Sequence, residues 1–173
     1  MAGGRRSGSV ALLRGMNVGG VTLPMPRLKE LGEEAGLHSV RTYIASGNLI
    51  FASDEGEDAI RARLEQLIER ELGRRIGVTV RTAGELADVL AANPFAQHPG
   101  NRTVAIFVDG PLTLDGLRHQ ADEQLELGKR AIYAWYPSGQ AKTKLVIPAA
   151  KDGTARNMNT VAKLAELAAA AGA

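Results

Sequence analysis

Cysteine is absent from the 173-residue sequence, and histidine and aromatic residues are scarce. Without cysteine the chain can form no disulfide bond, thiolate metal site or cysteine nucleophile, and it suits a reducing compartment such as the cytoplasm. The three histidines lie far apart in sequence, so no zinc site is indicated. We therefore expect neither a bound metal nor a cofactor.

Long apolar runs are absent too. No stretch approaches the roughly 20 residues that a membrane-spanning helix requires, so we expect a soluble, cytoplasmic protein with no membrane partner. Arg5 and Arg6 precede a short apolar run, as in a twin-arginine export signal. Arg14 interrupts this run and no small-residue cleavage site follows it, so an export signal is not predicted. Residues 1–8 are predicted to form a flexible basic tail.

The sequence also lacks the known fingerprints of nucleotide sites and hydrolases. Residues 14–20 are glycine-rich and lie between a predicted strand and a predicted helix, where phosphate-binding loops are found. They contain neither the Gly-Lys-Ser/Thr ending of a P-loop nor the Gly-x-Gly-x-x-Gly of a dinucleotide site. Ser46 has no Gly-x-Ser-x-Gly motif around it. No catalytic residue is predicted, and whether the chain is an enzyme stays open.

The charged residues that are present are unevenly distributed. The formal net charge is only +2, which does not by itself imply nucleic-acid binding. Residues 1–53 carry six basic and three acidic side chains, and residues 129–173 carry seven and two. If the fold brings these segments together, a positive surface results; otherwise each is an ordinary solvated face.

Two of the helices predicted in the first half of the chain have clear sequence signals. Pro24 and Pro26 favour a helix start, and Gly36 a helix end. The next helix ends at Gly73 and has the clearest apolar stripe of the sequence, formed by Ile60, Leu64, Leu67, Ile68 and Leu72.

The strands of the first half are predicted around these helices, at 10–13, 40–53 and 78–80, with a short helix at 84–92. The segment 40–53 is interrupted by Ser46-Gly47-Asn48. This interruption predicts a hairpin, or alternatively one long strand with a bulge at Gly47.

The second half is predicted to repeat this order less completely. A strand at 104–108 leads through Asp109-Gly110-Pro111 to a helix that ends by Leu127. Strands at 131–136 and 145–147 and a last helix at 154–170 follow. The chain is thus predicted to be α+β, with two ferredoxin-like (βαββαβ-type) subdomains at 9–95 and 101–171. Ser46-Gly47-Asn48 and Ser138-Gly139-Gln140 both contain Ser-Gly followed by an amide side chain. This short internal similarity, with each segment interpreted as a hairpin turn, supports the duplication.

Two donor-rich segments are candidate binding sites. Arg14 and Asn17 combine a strand-terminal guanidinium with a loop amide. Residues 154–160 open the last predicted helix, where free backbone N–H groups and the charge of Arg156 attract anions. Capping of that helix by Thr154 or Asn157 is the alternative explanation.

Two side-chain pairs near the predicted strands are weaker candidates. Lys142 and Lys144 are two residues apart, so they face one side, either to bind a ligand or to protect a sheet edge. Tyr133 and Trp135 also share one face, where they either stack bases or pack in a core or interface. The low aromatic content favours packing.

Several motifs closely resemble the bacterial domain of unknown function family 1697. They are residues 11–20 (ALLRGMNVGG), 40–51 (VRTYIASGNLIF), 92–95 (ANPF), 133–137 (YAWYP) and 154–161 (TARNMNTV). Met158 stands where the family pattern has a tryptophan. The resemblance implies an α+β fold of two subdomains and, because the family is uncharacterised, no reaction.

The leading hypothesis is a binding module for an anionic ligand, a nucleotide or a nucleic-acid phosphate. It predicts that the loop from Arg14, the turn from Ser46 and the helix start at Arg156 meet in space. The alternatives are a small-molecule enzyme that uses the same cleft, and a structural role in which the Arg and Asn side chains tie the two halves together. The oligomeric state is not predicted. The candidate ligand-binding residues are Arg14, Asn17, Arg41, Ser46, Asn48, Lys144, Arg156, Asn157 and Asn159.

Overall fold

The computed structural model describes residues 7–15, 23–43 and 47–173. The chain divides into two compact units, of which the first comprises Met1–Leu86 and Leu164–Ala173 and the second Ala87–Lys163. No helix within the described ranges is both long enough and apolar enough to cross a membrane. The predicted tail falls mostly on residues 1–6, which lie outside the described ranges.

The first unit contains a four-stranded antiparallel sheet. Its strands are β1 (Ser7–Leu13), β2 (His38–Thr42), β3 (Asn48–Ser53) and β4 (Val78–Thr82), in the order β2-β3-β1-β4. Helices α1 (Met25–Glu34) and α2 (Glu57–Leu72) follow β1 and β3, and α3 (Ala83–Ala91) follows β4. The first core gathers buried side chains of the sheet and of α1 and α2, among them Ala11, Leu28, Phe51, Leu64 and Val80.

The two predicted helices are confirmed. Pro24 stands at the N-cap of α1, and Gly36 has a left-handed backbone, with φ of 83°, just after its end. In α2, Ile60, Leu64 and Ile68 are buried, as the apolar stripe predicts. Left-handed Gly73 ends this helix and donates its N–H to the carbonyl of Glu69.

The interruption at Gly47 is a hairpin. Gly47 has a φ of 78°, and β2 and β3 pair antiparallel on either side of it, with Arg41 opposite Ile50. The interpretation as one bulged strand is therefore wrong, because the chain reverses direction here. Glycine suits this position because it adopts positive φ without steric cost.

The second unit contains another four-stranded antiparallel sheet. Its strands are β5 (Thr103–Phe107), β6 (Gln124–Leu127), β7 (Ala131–Trp135) and β8 (Thr154–Asn157), in the order β6-β7-β5-β8. This is the strand order of the first sheet. Helix α4 (Met158–Ala171) follows β8. One face of the sheet forms the second core, which includes Val104, Ile106, Ile132, Ala134 and Tyr136.

The helix predicted between Pro111 and Leu127 does not form. Residues 108–123 are turns and irregular chain, and Gly116 and His119 both have positive φ, which an α-helix cannot contain. The leucines of this segment pack on the second core from a loop. Residues 124–127 pair with β7 as an edge strand instead, which accounts for their alternation of polar and apolar side chains.

Three smaller predictions for the second unit are also wrong. The strand at 145–147 is reduced to one bridge, between Val146 and Arg118. Residues 154–157 pair with β5, so the last helix begins at Met158. Ser138-Gly139-Gln140 follows β7, whereas the β6–β7 hairpin turns at residues 128–130. The internal similarity to Ser46-Gly47-Asn48 therefore does not mark equivalent turns.

Candidate functional site

A cavity of about 460 Å³ lies at one end of the second sheet. One wall comes from residues 119–123, which lead into β6, and the other from residues 138–144, which follow β7. Gln124 of β6 is paired with Trp135 of β7, so both walls leave the sheet at the same end. The lining includes His119, Asp122, Glu123, Ser138, Lys142, Thr143 and Lys144.

The two walls are held together by backbone hydrogen bonds. Arg118 donates its N–H to the carbonyl of Val146 at 3.1 Å, and Val146 donates to the carbonyl of Arg118 at 2.8 Å. His119, next to this bridge, has a φ of 61°. A non-glycine residue keeps this conformation only where its surroundings impose it, so the wall beside His119 is a tightly constrained segment.

The carboxylates of the cavity are engaged by neutral donors. Glu123 is buried and accepts hydrogen bonds from the Thr143 hydroxyl and from the backbone N–H of Ala121. The hydrogen bond from Thr143, and after it that from Ala121, lowers the pKa of the Glu123 carboxyl below its ordinary value. Asp122 accepts a hydrogen bond from the Ser138 hydroxyl at 2.5 Å. Both acids thus have local partners.

The ammonium groups of the cavity have no carboxylate partner in the part of the chain that the structure describes. Lys142 and Lys144 are exposed, and no carboxylate of the described residues lies within 4.0 Å of either ammonium nitrogen. Two positive charges therefore border a cavity whose acidic groups are oriented by neighbouring hydroxyls and N–H groups. An anion can approach these lysines without first breaking an ion pair.

The predicted site residues of the first unit lie around the ends of β1 and β3. Arg14 is exposed after β1, and its backbone N–H donates to the carbonyl of Gly77 at 3.0 Å. Arg41 is exposed on the edge strand β2. Asn48 is fully buried and donates its side-chain amide to the carbonyl of Tyr43 at 3.0 Å, which closes the hairpin. The other two candidates, Asn17 and Ser46, lie outside the described residues.

The start of the Arg14 loop lies next to the Gly47 turn, as the sequence-based hypothesis expects for these two segments. Leu13, just before Arg14, donates its N–H to the carbonyl of Gly47 at 2.9 Å. The start of the loop and the turn are therefore neighbours within the first unit. Arg156 belongs to the second unit, and its approach to these two segments stays a prediction.

Arg156 lies in a strand and not in the first turn of a helix. It is buried on β8, and its guanidinium donates to the Thr154 hydroxyl at 2.7 Å and to the Ala155 carbonyl at 2.9 Å. Burial lowers its pKa to about 10, because the charged form loses solvation. These contacts hold the side chain along its own strand.

The two asparagines near Arg156 lie at the start of α4. Asn157 accepts the N–H of Thr160 through its side-chain oxygen at 2.9 Å, which is a helix cap. Asn159 lies against Gly100, where an added Cβ would come 2.2 Å from its side-chain oxygen. The 3-10 turn Gly100–Arg102 therefore crowds the first turn of α4 on this side.

The two aromatic residues of β7 differ in their surroundings. Tyr133 is buried, and its hydroxyl donates to the carbonyl of Val89 at 2.7 Å, so it packs in the interior and offers no face to a base. Trp135 is only half-buried and stacks on His98. The packing interpretation therefore holds for Tyr133.

Sequence reasoning found only the lysines of the cavity and missed His119, Asp122, Glu123, Ser138 and Thr143. The missed residues fall in the segment taken for a helix and in the turn after β7. One available signal was the alternation in Gln124-Leu125-Glu126-Leu127, which has strand periodicity and which would have ended the supposed helix earlier. Among the described residues, no group of three or more His, Asp or Glu side chains could hold a metal ion.

Comparison with known proteins identifies the family. The model described as "Protein of unknown function (DUF1697)" matches residues 7–133, more than half of the chain, so the chain belongs to this family and the resemblance seen in the motifs is confirmed. No curated protein matches the chain. Among solved structures it is similar to the conserved bacterial protein SP0830 from Streptococcus pneumoniae, with a TM-score of 0.76 and 23% identity over 93% of this chain and 97% of that one. At this identity the likeness shows a shared α+β fold alone.

Proposed function

We propose that this member of a family of unknown function is a binding module for a small phosphate-bearing ligand, which it takes up in the cavity of the second unit. The observation that carries the proposal is the pair Lys142 and Lys144, which border the cavity without a carboxylate partner among the described residues. A phosphate group placed between them gains charge-assisted hydrogen bonds. His119 adds a further polar group to the same wall.

The lysines support ligand binding better than the Arg and Asn residues chosen from the sequence. Asn48 closes a hairpin, Asn157 caps a helix, and Arg156 is hydrogen-bonded along its own strand. No buried polar side-chain atom of the described residues lacks a hydrogen-bond partner. A ligand at these positions would have to displace existing hydrogen bonds, whereas a ligand at the lysines would not.

Binding is favoured over catalysis in this cavity. An acid–base catalyst needs a group whose pKa lies near the working pH, and hydrogen bonds move the pKa of Glu123 away from that range. The hydroxyls of Ser138 and Thr143 donate to the carboxylates of Asp122 and Glu123, and within the described ranges neither hydroxyl is hydrogen-bonded to an imidazole that would activate it as a nucleophile.

We further propose that both units derive from the ferredoxin-like arrangement. The first unit has the order β-α-β-β-α-β, and both sheets have the same strand order. In the second unit, a loop replaces the helix after β5, and a short 3-10 turn (Pro148–Ala150) precedes β8. The absence of cysteine supports a cytoplasmic location.

The binding proposal is tested with inorganic phosphate and adenosine diphosphate as probes. Backbone amide shifts should move at residues 119–123 and 138–144 on titration, and the affinity should fall as salt is added. The double variant Lys142→Gln/Lys144→Gln should weaken binding at least about tenfold, because each charge-assisted hydrogen bond contributes on the order of 1 kcal/mol or more.

Lys129→Gln is the matched control. Lys129 is an exposed lysine of the same unit, in the β6–β7 turn at the far end of the two strands from the cavity. This variant removes one equal charge and should leave the affinity unchanged. Equal weakening by the control, or amide shifts that avoid the cavity walls, would refute the proposal.

A further inference from the structure

The half-buried Trp135 is covered by the imidazole of His98. The two ring centroids are 3.4 Å apart and the ring planes differ by 9°, so the rings are stacked in parallel. Flat rings at this spacing have the geometry with which a nucleobase stacks on an aromatic side chain. His98 thus occupies the place that a planar ligand would take.

Ring contacts hold the His98 imidazole over Trp135: it stacks on the indole and lies 6.4 Å, centroid to centroid, from the tilted ring of Phe95. No described residue hydrogen-bonds its imidazole nitrogens, whereas its backbone N–H donates to the carbonyl of Phe95 at 2.9 Å. The residue belongs to a turn segment between α3 and β5, outside any helix or strand. A side-chain rotation is therefore enough to uncover the indole, and no hydrogen bond has to break.

The surroundings of Trp135 contain the other elements of a base site. Phe95 is buried with its ring centroid 6.2 Å from that of Trp135, at an angle of 35°, so it supports the platform from one side. Gln124, the register partner of Trp135, is exposed on the edge strand and lies on the same face of the sheet. Its carboxamide offers both a donor and an acceptor to the edge of a base.

We infer that Trp135 is a stacking platform for a planar heteroaromatic ring of the nucleobase type, and that His98 covers this platform until the ligand displaces it. Phe95 holds the platform in place, and Gln124 contacts the edge of the ring. This site is separate from the phosphate cavity and does not depend on the lysines.

Adenosine is the probe, because it has a base and no phosphate. Trp135 is the sole tryptophan of the chain, so its fluorescence reports the platform alone. Adenosine should quench it saturably, and His98→Ala should bind about two- to tenfold more tightly because the competing ring is gone, a range set by aromatic pair energies. His38→Ala, which removes an exposed histidine of the first unit, should bind like the wild type.

The platform itself is tested by saturation-transfer NMR on the adenosine protons. Trp135→Phe keeps an aromatic face and should retain transfer, whereas Trp135→Leu should lose it while circular dichroism shows an intact fold. The inference is overturned if neither the wild type nor His98→Ala is quenched saturably, if His98→Ala binds more weakly than the wild type, or if Trp135→Leu binds as well as Trp135→Phe.

Discussion

Arg81 and Arg156 make the same hydrogen bond in the two units. Each guanidinium donates to the carbonyl oxygen of the preceding residue, Val80 or Ala155, at 2.9 Å. Both arginines are buried, and each pairs with a residue of the central strand beside it. Their strands, β4 and β8, occupy the same edge position in the two sheets.

The residue after each arginine caps the helix that follows. Thr82 accepts the N–H of Glu85, whose carboxylate accepts the N–H of Thr82, and this reciprocal pair is a capping box for α3. Asn157 accepts the N–H of Thr160 at the start of α4. A buried arginine followed by a capping residue is therefore a repeated strand-to-helix junction, and it explains two of the residues that the sequence had suggested as ligand contacts.

The first prediction concerns the stability role of Arg156. Arg156→Ala should lower the free energy of unfolding by roughly 2–4 kcal/mol, because buried volume and internal hydrogen bonds, among them those to Thr154 and Ala155, are lost. Arg41→Ala, at an exposed edge position, should change it by less than about 0.5 kcal/mol. Urea denaturation measures both. Equal stability of the two variants would contradict a structural role for Arg156.

The second prediction separates capping from ligand binding at Asn157. Asn157→Ala should destabilise the protein by about 1 kcal/mol, the usual cost of a lost N-cap, and Asn157→Asp should restore most of this loss. Thermal unfolding monitored by circular dichroism gives the comparison. An alanine variant as stable as the wild type would mean that the hydrogen bond to Thr160 contributes nothing to the fold.

The third prediction contrasts two glycines. An added Cβ at Gly8 would lie 1.7 Å from the carbonyl oxygen of Ala168, so Gly8→Ala should destabilise the protein by at least about 2 kcal/mol, since backbone has to move. Gly84 lies in the first turn of α3, where the nearest atom to an added Cβ is 3.9 Å away. Gly84→Ala should raise stability by roughly 0.5 kcal/mol through helix propensity. Urea denaturation measures both effects. The midpoint should fall for Gly8→Ala and rise for Gly84→Ala, while the dependence of the free energy of unfolding on urea concentration stays the same.

The fourth prediction is a pH dependence at Glu123. Hydrogen bonds hold the folded-state pKa of this carboxyl below its unfolded value, so its contribution to stability is present above the unfolded pKa and is lost as the pH falls through the folded pKa. The stability difference between wild type and Glu123→Gln should therefore shrink on acidification from neutral pH. Urea unfolding at a series of pH values measures this difference.

Two variants serve as controls for Glu123. Glu126→Gln makes the same change of charge at an exposed position on β6 and should change the free energy of unfolding at neutral pH by less than about 0.5 kcal/mol. Thr143→Val removes the hydroxyl that contributes most to the shift, so the NMR titration midpoint of Glu123 should rise toward 4.5. An unchanged midpoint in Thr143→Val would show that another contact lowers the pKa.

Local signals in the sequence were sufficient for much of the first unit. Pro24 and Gly36 bracket α1, and Gly47 marks the β2–β3 hairpin, because proline fixes φ and glycine permits the positive φ that a helix end or a tight turn requires. The apolar stripe of α2 was recognisable from its spacing alone, because any sheet that packs on the helix buries it. These features depend on residues within a few positions of one another, so a reading along the chain finds them.

Long-range pairing decided the features that the sequence did not reveal. The segment 108–123 has enough leucines for a helix, but they reach the second core from a loop, and residues 124–127 gain strand hydrogen bonds from β7. Residues 154–157 likewise became a strand because β5 had an open edge. Local propensity is a weak preference that such pairing readily outweighs.

The candidate site also combines features that local sequence signals reveal with features that only long-range pairing decides. Lys142 and Lys144 were visible as a charged pair, but the sequence contains no sign that His119 lies across a cavity from them. Their two walls meet through the hydrogen bonds between Arg118 and Val146, which are 28 positions apart. Residue types and their order thus determined which chemistry the chain can offer. The folded backbone determined which of those groups share a cavity, because a site is made by distances in space that the linear order of residues does not specify.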